Sequence, residues 1–291
     1  MKIKKIALIV LAVVMVLTFA GCGNAKFMSA SQLKDLTNKY SAPQMEMTIE
    51  YTRNEKVVEL QLTYDLLLDK APITVVNFIN LVNDGFYNAQ EGTEGEVTSM
   101  VFDGRISSST NAWVVGRYTL TTKGTSKTYA VAPELDYTIK GEFLQNGWEL
   151  PVDANEEDED VTDGNAKIDL FSLAMYHQNN VDNFDAASSA FFLTTSSTQK
   201  ENYKNYAVFA QLASMTVVVD GVEVAKDVTE VPASVLDDFN SMTGTTSKTI
   251  TIDEDSTETR SVLSNVIRIV EVKMLGTTDY SSLPRDYVIE K

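Results

Sequence analysis

Cysteine and histidine are almost missing from this sequence: each occurs once, as Cys22 and His177. A lone cysteine excludes an internal disulfide. One cysteine and one histidine also leave nothing from which a zinc site of the usual spacing can be built. A single imidazole gives no basis for a serine–histidine pair, and at the end of a strand-like segment it reads as structural. Basic residues are scarce too, with 24 Lys and Arg against 41 Asp and Glu and a net charge of −17. That balance disfavours nucleic acid, whose phosphates need a basic surface, and it disfavours wrapping around anionic lipid. No internal repeat and no phosphate-binding glycine loop stands out. No cofactor and no metal is expected.

Long apolar runs are also lacking, save one. Residues 6–20 are apolar apart from Thr18, and Lys2, Lys4 and Lys5 precede them. The run is short for a membrane span and has the layout of an export leader. It ends Phe19-Ala20-Gly21-Cys22, which resembles a bacterial lipobox. That resemblance implies a leader over residues 1–21, lipidation of Cys22, and an anchor on the extracytoplasmic face of a bacterial membrane. An ordinary cleaved secretory signal is the other reading.

What is present is ordinary globular composition, 44% hydrophobic and 22% charged, in a length that suits one large domain or two small ones. Residues 22–43 are polar and read as a tether, with a short helix around 31–39. Met45, Met47, Ile49 and Tyr51 alternate with polar residues, and so do Val58, Leu60, Leu62 and Tyr64. Both stretches read as strands with one buried face. Pro72 suits the first position of a helix. Val75, Phe78, Ile79 and Val82 then make an apolar helix face, and Gly85 stands where a left-handed C-terminal cap belongs.

Further along, residues 100–106 and 111–116 read as strands, with an expected loop over 89–99 between the helix and the first of them. Residues 170–176 and 189–194 read as strands as well. In the latter, Ala190 and Phe192 share one face, while Phe191 and Leu193 share the other. A strand over 206–210, a helix over 232–240 and a closing strand over 265–273 follow. Residues 117–165 and 243–261 read as insertions, the first with strand-like pieces at 127–131 and 137–143, and 276–291 as a tail. The acidic run 153–163 is best read as a solvated loop, because an EF-hand would need glycine at the sixth position and glutamate at the twelfth. Asp158 and Gly164 stand there.

Ala71-Pro72, Asn77-Phe78 and Gly85-Phe86-Tyr87 resemble the first helix of the cyclophilin family of peptidyl-prolyl isomerases. Matching stretches follow in order at Phe102 to Arg105, Ala174, Ser189 to Thr194, and Tyr206 to Ala210. The resemblance covers about 45–275. It implies a mainly β fold: a closed antiparallel barrel of about eight strands, capped by two helices and carrying long insertions. It further implies catalytic roles for Arg105, as the cation at the twisting prolyl nitrogen, and for Phe192, as the platform under the proline ring. Asn111, Trp113, Ala174, Ala190 and Tyr206 would line the groove.

Several departures temper the match. Small or polar residues stand where the family has a Phe-Met pair, Ala190 replaces a glutamine, and one residue must be inserted before Arg105. Two functions are therefore carried: an isomerase acting on proline-containing segments of exported proteins, and a cyclophilin-like peptide-binding lipoprotein with little or no catalysis. A solute-binding lipoprotein lacks the repeated α/β pattern it would need. The chain is expected to be monomeric.

Overall fold

A computed structural model describes residues 26–105, 111–148, 168–177, 184–196 and 205–291. Cys22 with its leader, the acidic run 153–163 and the rest of the insertion beyond residue 148 lie outside the described residues. The helices are α1 (Ala30–Lys39), α2 (Pro72–Asn83) and α3 (Ala233–Ser241). The strands are β1 (Gln44–Arg53), β2 (Lys56–Leu66), β3 (Gln90–Glu91), β4 (Glu96–Arg105), β5 (Ala112–Lys123), β6 (Ser126–Val131), β7 (Tyr137–Thr138), β8 (Leu173–Met175), β9 (Phe191–Thr194), β10 (Val208–Val219), β11 (Val222–Val228), β12 (Thr245–Thr251), β13 (Thr257–Leu263), β14 (Ile267–Met274) and β15 (Ile289–Glu290).

Eight strands pair in the cyclic order β5-β9-β8-β10-β2-β1-β14-β4, and β4 closes the ring on β5. Every pairing around the ring is antiparallel. Closure removes the free edges that an open sheet would expose. The alternation seen in β1 and β2 decides which side faces in: Met45, Met47, Ile49 and Tyr51, with Val58, Leu60, Leu62 and Tyr64, all lie in the barrel core. Their hairpin turns at Asn54 and Glu55, both at positive φ (50° and 64°), the twist that joins two adjacent strands tightly.

Helix α2 closes one mouth. Phe78 packs its ring 4.9 Å from Phe209, 5.1 Å from Tyr87 and 5.7 Å from Phe191. Pro72 sits at the start of the helix, and no side chain of the flanking residue caps it. The Glu142 carboxylate does so instead, accepting the Ile73 and Thr74 N–H groups at 2.9 and 2.8 Å. At the other end Gly85 has φ +72°, and Phe86 N–H reaches back to the Leu81 carbonyl, as expected for a glycine-terminated helix. Helix α3 closes the other mouth. Phe239 meets Trp113, Phe171 and Tyr51 edge-on at 5.4, 5.3 and 6.0 Å. Asp238 accepts from Tyr51 Oη at 2.7 Å and Arg53 Nη1 at 3.0 Å.

Several segments differ from the sequence reading. The short helix expected within the stretch read as a tether is α1, but its Leu33 and Leu36 are buried along with Met28 and Tyr40, so the stretch is docked and not a free tether. The stretch read as a tail lies across α2: Tyr280 and Leu283 are buried, Asn80 Nδ2 donates to the Pro284 carbonyl, and β15 pairs with β7. An amphipathic helix exposes its polar face only if nothing covers it. Here the C-terminal segment covers it, so every residue from Pro72 to Val82 is buried. Of residues 89–99, read as a loop, 90–91 form β3 and 96–99 already belong to β4. Residues 117–131 prolong β5 and return as β6. The excursion at 243–261 is the hairpin β12–β13, laid parallel onto β6.

Candidate functional site on the outer barrel wall

Strand alternation divides the aromatic pair of β9. Phe191 and Leu193 point into the barrel, while Phe192 points outward into a small apolar cluster. Across the ladder Phe192 stands opposite Val114 of β5 and Ala174 of β8. Ala112, Ile168, Tyr206 and Val208 complete the cluster, with Tyr176 and Leu67 packed against it. The Tyr206 ring meets the Phe192 ring edge-on at 5.0 Å. Behind Tyr206 comes His177 at 4.7 Å, and behind that Phe143, stacked on the imidazole at 5.5 Å. His177 Nε2 also lies 2.6 Å from the Asn205 carbonyl oxygen. The one histidine is thus a structural element of the wall, holding the rim tyrosine from behind. Phe192 itself is 0% exposed, so a ligand reaching its ring must displace a neighbour.

Gly116 fixes where β9 enters this wall. It has φ +91°, and a Cβ there would stand 3.0 Å from Ala190 Cα and 3.1 Å from the Ser189 carbonyl oxygen. Ala190 is half-buried, and its carbonyl accepts from Tyr176 N–H. Ser189, Ala190 and β5 meet backbone to backbone, which only glycine permits here.

The structure does not bring Arg105 and Phe192 together. On β4, Phe102 stands opposite Val115 and Gly104 opposite Val114, so Asp103 is an extra residue with no partner. A bulge of one residue moves every later side chain to the other face. Gly104 therefore takes the position facing the Phe192 side, and Arg105 falls opposite Trp113. Its guanidinium lies 5.7 Å from the Trp113 ring, with Nη1 3.4 Å from Asn111 Oδ1. Trp113 does not line the wall. It points into the core, 1% exposed, its Nε1–H donating to Thr195 Oγ1 at 3.2 Å. Asn111 sits at the strand entrance, where its carbonyl accepts from Thr195 N–H. Ala174, Phe192 and Tyr206 are gathered on the outer wall, Ala190 lies at its edge, and Arg105, Asn111 and Trp113 belong to the barrel mouth under α3.

One polar group beside the wall escaped sequence reading. The extra residue Asp103 is 4% exposed and accepts from Arg117 Nε at 2.6 Å and Nη2 at 2.7 Å. Arg117 Nη1 lies 3.3 Å from the Tyr176 hydroxyl, and its Cζ stands 5.0 Å from the Tyr176 ring and 5.9 Å from the Tyr118 ring. Burial pushes the Asp103 carboxyl up, and Arg117 offsets part of that. Burial also works against the Arg117 charge, but the carboxylate more than compensates, so the guanidinium stays charged. The signal was available in sequence: an aspartate inside an apolar strand, with an arginine just after a glycine on the next one.

Two hollows lie elsewhere and include no residue of this cluster. One, of about 590 Å³, runs along the barrel side between Glu46, Glu59, Glu91 and Lys273. The other, about 130 Å³, lies under the C-terminal segment beside Ile73, Val76 and Tyr137. Among the described residues, no three His, Cys, Asp or Glu side chains converge so as to hold a metal ion. No described helix is long and apolar enough to cross a membrane.

Residues 48–243, from β1 to just beyond α3, match the family model described as cyclophilin type peptidyl-prolyl cis-trans isomerase/CLD. No curated protein matches the chain. Among solved structures, a cyclophilin type peptidyl-prolyl cis-trans isomerase from Cryptosporidium parvum is 13% identical. The alignment covers 81% of this chain and 99% of that one, at a TM-score of 0.40. The same protein crystallised in the presence of the dipeptide Ala-Pro gives 14%, 79%, 99% and 0.38. The cyclophilin AquaCyp293 from Hirschia baltica gives 9%, 89%, 84% and 0.24. With the match spanning most of the chain and the strands closing as described, this protein belongs to the cyclophilin-type peptidyl-prolyl cis-trans isomerase family.

Proposed function

We propose that this protein binds proline-containing segments of exported proteins on its outer barrel wall and speeds the turning of their X-Pro bonds. The observation that carries this reading is the outward Phe192, framed by Ala174, Val114 and the edge of Tyr206. Such a cluster offers an apolar seat to a pyrrolidine ring once a covering neighbour moves aside, none of these four side chains being more than 3% exposed. An X-Pro bond faces a barrier of about 18–20 kcal/mol because twisting breaks amide resonance, and both of its isomers are populated. No covalent bond need form. The protein has only to hold the twisted amide more tightly than either planar form, and each ~1.4 kcal/mol of that preference is worth tenfold in rate. The leader and Cys22 support a lipid anchor on the extracytoplasmic face of a bacterial membrane, where newly exported chains fold without cytosolic help.

A second reading, a peptide binder with little catalysis, is favoured by one observation: Arg105 lies over Trp113 and not beside Phe192. Exchange spectroscopy on a proline-containing peptide separates the two. Exchange well above the uncatalysed rate, lost in Phe192→Ala and changed less than about twofold in Arg105→Ala, supports an isomerase working from this wall. Exchange at the uncatalysed rate with peptide bound supports the binder. Absence of binding refutes both. Mass spectrometry of the membrane-extracted chain, with Cys22→Ser beside it, tests the anchor.

A further inference from the structure

The Asp103–Arg117 pair is a built feature that the site described above does not use. A carboxylate with no exposed side-chain surface holds one edge of a guanidinium that is itself 40% exposed. Leaving water is costly for both groups, and a pair of this kind adds little net stability over an apolar replacement. Its value lies in what it presents. A guanidinium has five N–H donors in a rigid plane. Two are taken by Asp103 and one points at the Tyr176 hydroxyl. Two remain without a protein acceptor among the described residues.

The position of those donors is specific. Tyr176, on which the guanidinium rests, packs against the same cluster as Phe192 and Ala174. Its backbone pairs with Ala190, two residues before Phe192 on the same face, roughly 7 Å along the strand. That spacing is about two residues of an extended peptide. The bulge that turns Arg105 away is the same one that places Asp103 where it can hold Arg117. Charge narrows the ligand further. Asp103 neutralises the guanidinium, so the pair offers directional donors with no net positive charge, on a protein of net charge −17. A neutral acceptor fits such a site better than a phosphate or carboxylate does.

We propose that Arg117, held by Asp103, donates to a backbone carbonyl flanking the proline of the bound segment and fixes its register on the wall. The assignment rests on the peptide-binding reading above and makes Arg117 a substrate-positioning residue of that groove.

A thioamide scan tests it. In a series of proline-containing peptides, each carbonyl near the proline is replaced in turn by the weaker acceptor sulfur, and binding is measured by titration calorimetry. The unsubstituted protein should lose about tenfold in affinity at one carbonyl position, a charged donor's hydrogen bond being worth at least that. The double variant Asp103→Leu/Arg117→Met, which leaves no lone buried charge, should bind the parent peptide about tenfold more weakly and show a flat scan. If the double variant does not fold, the Arg117 Nε and Nη resonances of the unsubstituted protein decide, and they should shift on adding peptide. A flat scan in the unsubstituted protein, unmoved resonances, or displacement of the peptide by millimolar inorganic phosphate overturns the assignment and leaves the peptide-binding reading standing. No binding of any proline peptide removes that reading and this one together.

Discussion

Glu142 gives a prediction whose size follows from the structure. Its carboxyl is buried, 1% exposed, and caps α2 from a remote segment of the chain, 69 and 68 residues from its two partners. Burial pushes its pKa up from 4.5 to about 7, against the opposing pull of the Thr74 and Ile73 N–H groups. The Thr74 hydroxyl lies close enough to add to that pull but forms no hydrogen bond of acceptable geometry, and the two N–H bonds are the contacts that matter. A group whose pKa rises on folding stabilises the fold fully below its unfolded value. That contribution fades as pH climbs through the folded value. From 4.5 to about 7 the loss is about 3 kcal/mol, at ~1.4 kcal/mol per unit. Urea unfolding between pH 4 and 8 should therefore show stability falling through this window. Glu142→Gln should lower stability at pH 4 by ~1–3 kcal/mol, because one capped N–H loses its acceptor, yet remove that part of the fall. Parallel curves for the two proteins would refute the reasoning, and so would a difference growing in the opposite direction.

Gly116→Ala should cost about 1–3 kcal/mol from its backbone angle alone, and more from the 3.0 Å approach to Ala190 Cα. Denaturant midpoints check the stability, and peptide affinity should fall with it because β9 is displaced. Gly141→Ala places a Cβ 2.4 Å from the Phe184 carbonyl oxygen, so the soluble, folded yield should collapse. Trp113→Phe keeps an aromatic ring against Phe239 but leaves a void and takes one donor from the Thr195 hydroxyl, which still donates to the Asn111 carbonyl at 3.3 Å. A loss of about 1–3 kcal/mol is expected, with peptide affinity unchanged because the indole faces the core. Arg285→Ala removes an exposed pair with Asp84 and should shift stability by less than ~1 kcal/mol. A larger shift would mean the C-terminal segment is held mainly by that pair.

The alternation in residues 45–51 and 58–64 was enough to define the first hairpin, because a period of two leaves one way to bury four side chains per strand. Pro72 and Gly85 bounded α2 for equally local reasons. The division of Phe191 from Phe192, core from wall, followed from the same parity and needed no partner strand. Local pattern failed where a remote segment changed the outcome. Residues 276–291 look like a tail until they are seen to bury the second face of α2. The cap of that helix is a glutamate from another part of the chain, which no flanking residue betrays.

The site shows the same limit most sharply. The order of the matching motifs, as a resemblance, implied the family and the barrel, and parity along one strand set Phe192 apart from Phe191. Whether an arginine meets that wall depends on the register between two strands, and a single extra residue at Asp103 reverses it. Sequence alone marked an insertion there. Only the folded ladder decided that Arg105 turns to the barrel mouth while Arg117 comes to the wall, because register is set by pairing across strands and not by either strand alone.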